Sequence, residues 1–245
     1  MKDKWLYERF VAHRGLHGGE IKQNTMLAFE NAVTCGYNIE LDVQLTKDKV
    51  PVVFHDLCLA NLTDSQKDVR DLTWEELQKV RYKDSQANIP SFQEVLDLCE
   101  GKTGLMIEFK KLSLDEQNYE LEDVVLPMLK NYKGEFIVKS FNPFSVDYFR
   151  KNAPEFTRGL LSDALTIEDY PEDARPMVLD LLGETEKKVH FFDFGVNRLD
   201  LSELLRSVEG KMPLIVWTVR SQEVYDKIKD RVDNIIFENF IPKRV

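Results

Sequence analysis

The segment Ile39-Glu40-Leu41-Asp42-Val43 alternates apolar residues with carboxylates. Side chains on a β-strand alternate faces, so Glu40 and Asp42 point one way while Ile39, Leu41 and Val43 point the other. Two carboxylates held that close repel each other unless a cation lies between them, and all-oxygen ligands select an ion such as Mg2+ or Ca2+. The plainer reading is an exposed edge strand with one polar face. The alternation returns in Met106-Ile107-Glu108-Phe109-Lys110, which adds a third carboxylate and a cation. Glu108 would complete a three-carboxylate site for the divalent cation, with Lys110 in reach of a phosphate oxygen. Otherwise the two form a buried pair with a structural role only.

Two histidines converge on these carboxylates from separate segments. Val11-Ala12-His13-Arg14-Gly15 sets a histidine and an arginine where a first strand gives way to its loop, with Gly15 permitting a sharp turn. His55 follows in Pro51-Val52-Val53-Phe54-His55-Asp56. The intervening stretch, residues 45–50, resembles a hairpin turn that folds the chain back and brings His55 beside Glu40 and Asp42. A lone histidine near a strand is more often a satisfied core or surface group. Two at strand ends, aimed at one acidic cluster, point instead to general acid and base roles.

The elements that must position these groups form an alternating series. Strands are predicted at residues 9–12, 38–43, 104–109, 135–139, 157–161, 189–193, 213–218 and 233–237, with helices at 24–35, 92–100, 116–130, 145–151, 201–207 and 222–229. Strands alternating with helices give a parallel sheet, and eight of them favour a closed (β/α)8 barrel, which leaves no edge to protect. The expected class is therefore α/β, a TIM-type barrel forming one domain over residues 1–245. A small insertion at about 57–90, after the second-strand hairpin, carries a short helix at 74–79. Barrel active sites lie at the C-terminal mouth, where the carboxylates fall.

Composition narrows the function. The chain has 245 residues and a formal charge of -10, and a surface so acidic repels nucleic acid and anionic headgroups unless one face is locally basic. No apolar run is long enough to span a bilayer, and the charged opening lacks the apolar core of a signal peptide. Cys35, Cys58 and Cys99 have no metal-type spacing and read as buried small hydrophobes in a reducing cytoplasm.

His13-Arg14-Gly15, Asn24-Thr25, Ala28-Phe29, Gly36, Glu40-x-Asp42, Thr46-x-Asp48, His55-Asp56, Glu108-x-Lys110, Lys139-Ser140-Phe141 and Trp217-Thr218-Val219, in that order, resemble the glycerophosphodiester phosphodiesterase family. The resemblance implies a (β/α)8 barrel whose divalent cation, Mg2+ or Ca2+, is held by Glu40, Asp42 and Glu108. It further implies acid and base roles for His13 and His55, a phosphate grip by Arg14, substrate contacts from Lys110 and Lys139, and a pocket wall at Trp217 packed on glycerol carbons. Three positions depart from the family pattern. Gln23 stands where Pro-Glu-Asn-Thr has its glutamate, Arg220 stands where Asn is common, and the usual Thr-Asp-x-Pro ending reads Phe237-Glu238-Asn239.

The reaction so implied is hydrolysis of a small-molecule glycerophosphodiester to glycerol 3-phosphate and an alcohol. His13 is assigned as base and His55 as acid, and the nucleophile is water or the glycerol hydroxyl next to the ester. Two alternatives use the same site: a lysophospholipase D-type phosphodiesterase, and a catalytically weakened barrel that binds phosphate esters.

Overall fold

The structure, a computed structural model, describes residues 3–183 and 188–243. Its strands are β1 (Val11–Ala12), β2 (Asn38–Leu45), β3 (Pro51–Val53), β4 (Leu105–Phe109), β5 (Phe136–Ser140), β6 (Arg158–Ser162), β7 (Phe191–Gly195), β8 (Leu214–Val219) and β9 (Asn234–Phe237). All but β3 are parallel to their neighbours, and β1 pairs with both β2 and β9, which closes the expected eight-stranded barrel. Short strand β3 runs antiparallel to β2, with Val43 opposite Val53, as the hairpin reading requires.

The helices are α1 (Trp5–Glu8), α2 (Met26–Thr34), α3 (Trp74–Leu77), α4 (Phe92–Cys99), α5 (Glu120–Asn131), α6 (Pro143–Asn152), α7 (Arg175–Leu182), α8 (Glu203–Val208) and α9 (Gln222–Ile228). Side-chain caps start several of them: Thr25 accepts from Ala28 N, Ser91 and Glu94 close a capping box, and Asn142 precedes Pro143 at the start of α6. Each such cap contributes about 1 kcal/mol. Helices α1 and α7 were not among the predicted elements. One turn of four residues is too short to show a period, and Pro176 beside Arg175 masks the start of α7.

Six of the eight barrel strands serve two cores. Ile39, Leu41, Val43, Leu105, Ile107 and Phe109 face the helix ring, all of them buried. Inward, Val11, Met106, Ile137, Phe191, Ile215 and Ile236 pack with Trp5 and Leu6 of α1 into a separate apolar floor. Asn38 holds α1 there by donating to Trp5 O at 2.9 Å, and Asn234 donates to Leu6 O. Above this floor the inward positions turn polar: Glu40, Asp42, Glu108, Lys139 and Asp193 are all buried.

The segment between β3 and α4 gathers a small core of its own around Val52, Phe54, Leu59, Val69, Leu72, Leu77 and Tyr82. Of the cysteines only Cys99 is buried. Cys58 is partly exposed and Cys35 is exposed, because Cys35 ends α2 on the outer ring.

Candidate active site

In-register pairing sets Asp42 beside Glu108 and Glu108 beside Lys139. A ligand oxygen from each of Glu40, Asp42 and Glu108 lies within 4.8 Å of the others, and all three residues are buried. Cations surround them. Lys110 Nζ is 2.7 Å from Glu108 Oε1 and 3.5 Å from Asp42 Oδ1, Arg14 Nε is 3.4 Å from Asp42 Oδ2, and Lys139 Nζ bridges Glu40 at 3.3 Å and Asp193 at 2.9 Å. Asn24 donates to Asp42 Oδ2 at 2.9 Å.

The electrostatics follow from burial and these partners. Burial works to raise the Asp42 carboxyl, but Lys110, then Arg14, His55 and Asn24 outweigh it and hold it well below the usual carboxylate range. Burial likewise opposes charge on Lys139, yet Asp193 and Glu40 hold its ammonium above its ordinary value. At Asp193 burial wins over Lys139 and pushes the carboxyl up to about 7.

Each histidine has a carboxylate on the same ring nitrogen. His13 Nδ1 is 2.6 Å from Glu238 Oε2, and His55 Nδ1 is 2.6 Å from Asp56 Oδ1, which Asn61 steadies through Oδ2 at 3.0 Å. Gln44 donates to the carbonyls of Phe54 and Asp56 and so fixes the backbone around His55. Two site residues adopt the left-handed backbone conformation without being glycine, Arg14 at φ 54° and Asn24 at φ 53°, joined by Asn24 N donating to Arg14 O at 2.9 Å. Gly15, at φ 82°, lies so close to α2 that a Cβ would come 2.9 Å from Ala28.

The departures from the family pattern acquire partners. Gln23 Oε1 accepts from Arg14 Nη1 at 2.6 Å, so a neutral amide holds the guanidinium without cancelling its charge. Arg220 Nε meets Glu238 Oε1 at 2.6 Å. Two positions that read as separate departures are thus one ion pair, whose carboxylate also holds His13. Burial works to raise the Glu238 carboxyl, and its bonds from His13, His17 and Arg220 hold it well below normal.

Three cavities border this cluster; one of about 420 Å3 shares only Lys110 with it, and the other two hold more of the site. The larger, about 500 Å3, is lined by residues that include His13, Arg14, His17, Lys22, Lys83 and Arg220. The smaller, about 170 Å3, has Glu108, Lys110, Ser140 and Phe141 in its wall. Trp217, on β8 and partly exposed, meets Phe141 edge-on with ring centroids 5.4 Å apart. Lys139 lines neither cavity and is 3% exposed. Sequence reasoning passed over Asp193, although Phe192-Asp193-Phe194 repeats the alternation that exposed Glu40 and Glu108.

The sequence profile of the Glycerophosphoryl diester phosphodiesterase family matches residues 13–241. A glycerophosphodiester phosphodiesterase of Caldanaerobacter subterraneus is 32% identical over 241 residues, covering 94% of this chain and 93% of that protein. A lysophospholipase D of Mus musculus is 40% identical over 148 residues, covering 56% of this chain and 45% of its own. Among solved structures, a glycerophosphodiester phosphodiesterase of Thermotoga maritima superposes with TM-score 0.72 at 28% identity, covering 94% of each chain. A phosphodiesterase of Oleispira antarctica, solved with the product sn-glycerol-3-phosphate, gives TM-score 0.75 at 22% identity, covering 94% of this chain and 92% of that one. The chain therefore belongs to the glycerophosphoryl diester phosphodiesterase family, phosphoric diester hydrolases built here on a (β/α)8 barrel.

Proposed function

We propose that this chain, as one barrel domain, hydrolyses glycerophosphodiesters to glycerol 3-phosphate and an alcohol at the three-carboxylate cluster, with a divalent cation and two histidines. The observation that carries the reading is the convergence of Glu40, Asp42 and Glu108 within 4.8 Å, flanked by two histidines that each have a carboxylate on Nδ1. The donor set fits a cation: it is all oxygen, and buried Asp42 Oδ1 accepts no hydrogen bond among the described residues. Mg2+ or Ca2+ bound there would polarise the phosphoryl oxygens and neutralise charge that develops on them.

The chain's own groups supply the rest. Arg14 presents a fixed planar fork to the phosphoryl oxygens, and Lys110 adds a point charge beside it. Lys139, sealed beneath the cluster, holds Glu40 in place. With Nδ1 of each histidine occupied by a carboxylate, Nε2 is left for proton transfer: one ring takes a proton from the nucleophile and the other gives one to the departing alcohol. The smaller cavity, walled by Phe141 on which Trp217 packs, takes the glycerol carbons. The free thiols at Cys35, Cys58 and Cys99 suit a reducing compartment such as the cytoplasm. Among the described residues no helix is long and apolar enough to cross a membrane.

The test is a panel of glycerophosphodiesters with glycerol 3-phosphate release as readout. Turnover should vanish on chelation with the circular dichroism spectrum unchanged, and return with Mg2+ or Ca2+. His13→Ala and His55→Ala should each lose about a hundredfold or more in kcat. A diester with an activated leaving group should rescue the variant that lacks the acid and leave the other impaired. Near-normal rates in both variants would sink the two-histidine mechanism.

The second reading, lysophospholipase D, is favoured by the mouse relative's name. Against it stands the larger cavity, walled mainly by charged and polar side chains with Ile21 and Leu62 as its aliphatic members. Hydrolysis of lysolipids as fast as water-soluble diesters would turn the reading that way.

A further inference from the structure

The chain carries a formal charge of -10, yet the larger cavity is basic. Arg14, Lys22, Lys83 and Arg220 line it against one carboxylate, Glu238. Arg220 spends only Nε on Glu238 and has no other hydrogen-bond partner among the described residues. Lys22 Nζ has no hydrogen-bond or ion-pair partner among the described residues, although Lys22 O accepts from Thr25. Lys83 Nζ gives two of its three N–H groups to the carbonyls of Ala60 and Asn61, at 2.6 and 3.2 Å. One further group in the same wall, the Tyr82 hydroxyl, also lacks a hydrogen bond among the described residues.

From this lining we infer that the leaving alcohol of the substrate carries a negative charge of its own, a carboxylate or a second phosphate, which Arg220, Lys22 and Lys83 receive in the larger cavity. The inference rests on the proposed diester hydrolysis and names its substrate class. The two cavities differ about threefold in volume, near 170 and 500 Å3, so the glycerol half fits the smaller and the larger is left for the variable alcohol. A cationic headgroup placed there would meet like charge in a concave, partly desolvated site, where repulsion is stronger than on an open surface. An anionic one would gain charge-assisted hydrogen bonds from the guanidinium and ammonium groups. The chemistry stays balanced: an oxygen bonds to phosphorus and gives its proton to one histidine. The P–O bond to the headgroup breaks, and the alcohol leaves with a proton from the other.

The experiment compares kcat/KM for four glycerophosphodiesters in the cation-loaded enzyme. Their alcohols are choline, glycerol, glyceric acid and glycerol bearing a phosphate monoester, which run from cationic to anionic. Rates should rise along that order by about tenfold between the neutral and the anionic alcohols at low salt, and the preference should shrink as ionic strength rises. Lys22→Gln and Arg220→Gln should each lower the anionic-to-neutral ratio. The glyceric acid and phosphate arms separate a carboxylate from a phosphate as the preferred charge. Equal rates for neutral and anionic alcohols, or a preference for choline, would overturn the inference and leave diester hydrolysis standing. Failure to cleave any of the four would instead overturn the hydrolysis itself.

Discussion

The floor and the mouth of the barrel are built from the same strands two residues apart, and they obey opposite rules. Met106 on β4 packs into the apolar floor with Phe191 and Trp5, while Glu108 on that strand enters the acidic cluster. Ile137 and Lys139 repeat the contrast on β5, and Phe191 and Asp193 repeat it on β7. The floor lowers the free energy of the folded chain by removing apolar surface from water. The mouth gathers four buried carboxylates and three cations whose desolvation works against folding. The difference teaches that on β4, β5 and β7 apolar packing and charge are separated by depth within one strand.

If that separation holds, the largest effect falls on turnover from a change at the mouth. Glu108→Gln should lower kcat/KM by about a thousandfold, as several kcal/mol of transition-state stabilisation are lost, while Tm stays close to that of the parent. Phe191→Ala should do the reverse. Losing a buried ring costs about 3–5 kcal/mol, read as a lowered denaturation midpoint, and kcat measured well below the new Tm should persist. Appreciable turnover in the first variant, or kcat lost in the second while it is still folded, would break the comparison.

Lys139 sharpens it, because this mouth residue is as buried as the floor. Lys139→Met should cost about 3–5 kcal/mol by stranding Glu40 and Asp193 without their cation. Adding Asp193→Leu should recover part of that loss in a denaturant titration, since one buried polar group without its partner is removed. A single variant as stable as the parent would mean that the buried bridge contributes nothing.

The smallest effect is in pH. Glu238 is held below its ordinary value of 4.5 in the folded chain, so its stabilisation is complete above about pH 4.5 and is lost as the pH falls further. Glu238→Gln should therefore flatten the acid limb of the stability profile by about 1 kcal/mol. Thermal melts of both proteins between pH 7 and pH 3 would check it, and parallel profiles would count against the assignment.

Most of the barrel was legible because its strands are short, apolar and regularly spaced: all eight predicted segments overlap observed strands. Glu40, Asp42 and Glu108 were legible for the same reason, since a carboxylate inside an apolar alternation has to face something. Asp193 carried that signal too and went unread. What the sequence does not encode locally is partnership across the barrel. His13 and Glu238 are 225 positions apart, and only strand closure brings them together. Arg220 and Glu238 looked like independent losses until their 2.6 Å contact made them one unit. Lys139 kept its motif position but lies sealed under the cluster, because its neighbours on β2 and β7 are both acidic.

The contact between His13 and Glu238 joins the first strand to the residue after the last. In chain order Glu40, Asp42, Glu108 and His55 all come before β9, so the carboxylate cluster precedes in sequence the partner of His13. Until Asn234–Phe237 slots between β1 and β8, the barrel is open along one seam and His13 has no carboxylate to orient it. The contact that orients His13 would then form with closure of the barrel and not in proportion to the length of chain already folded.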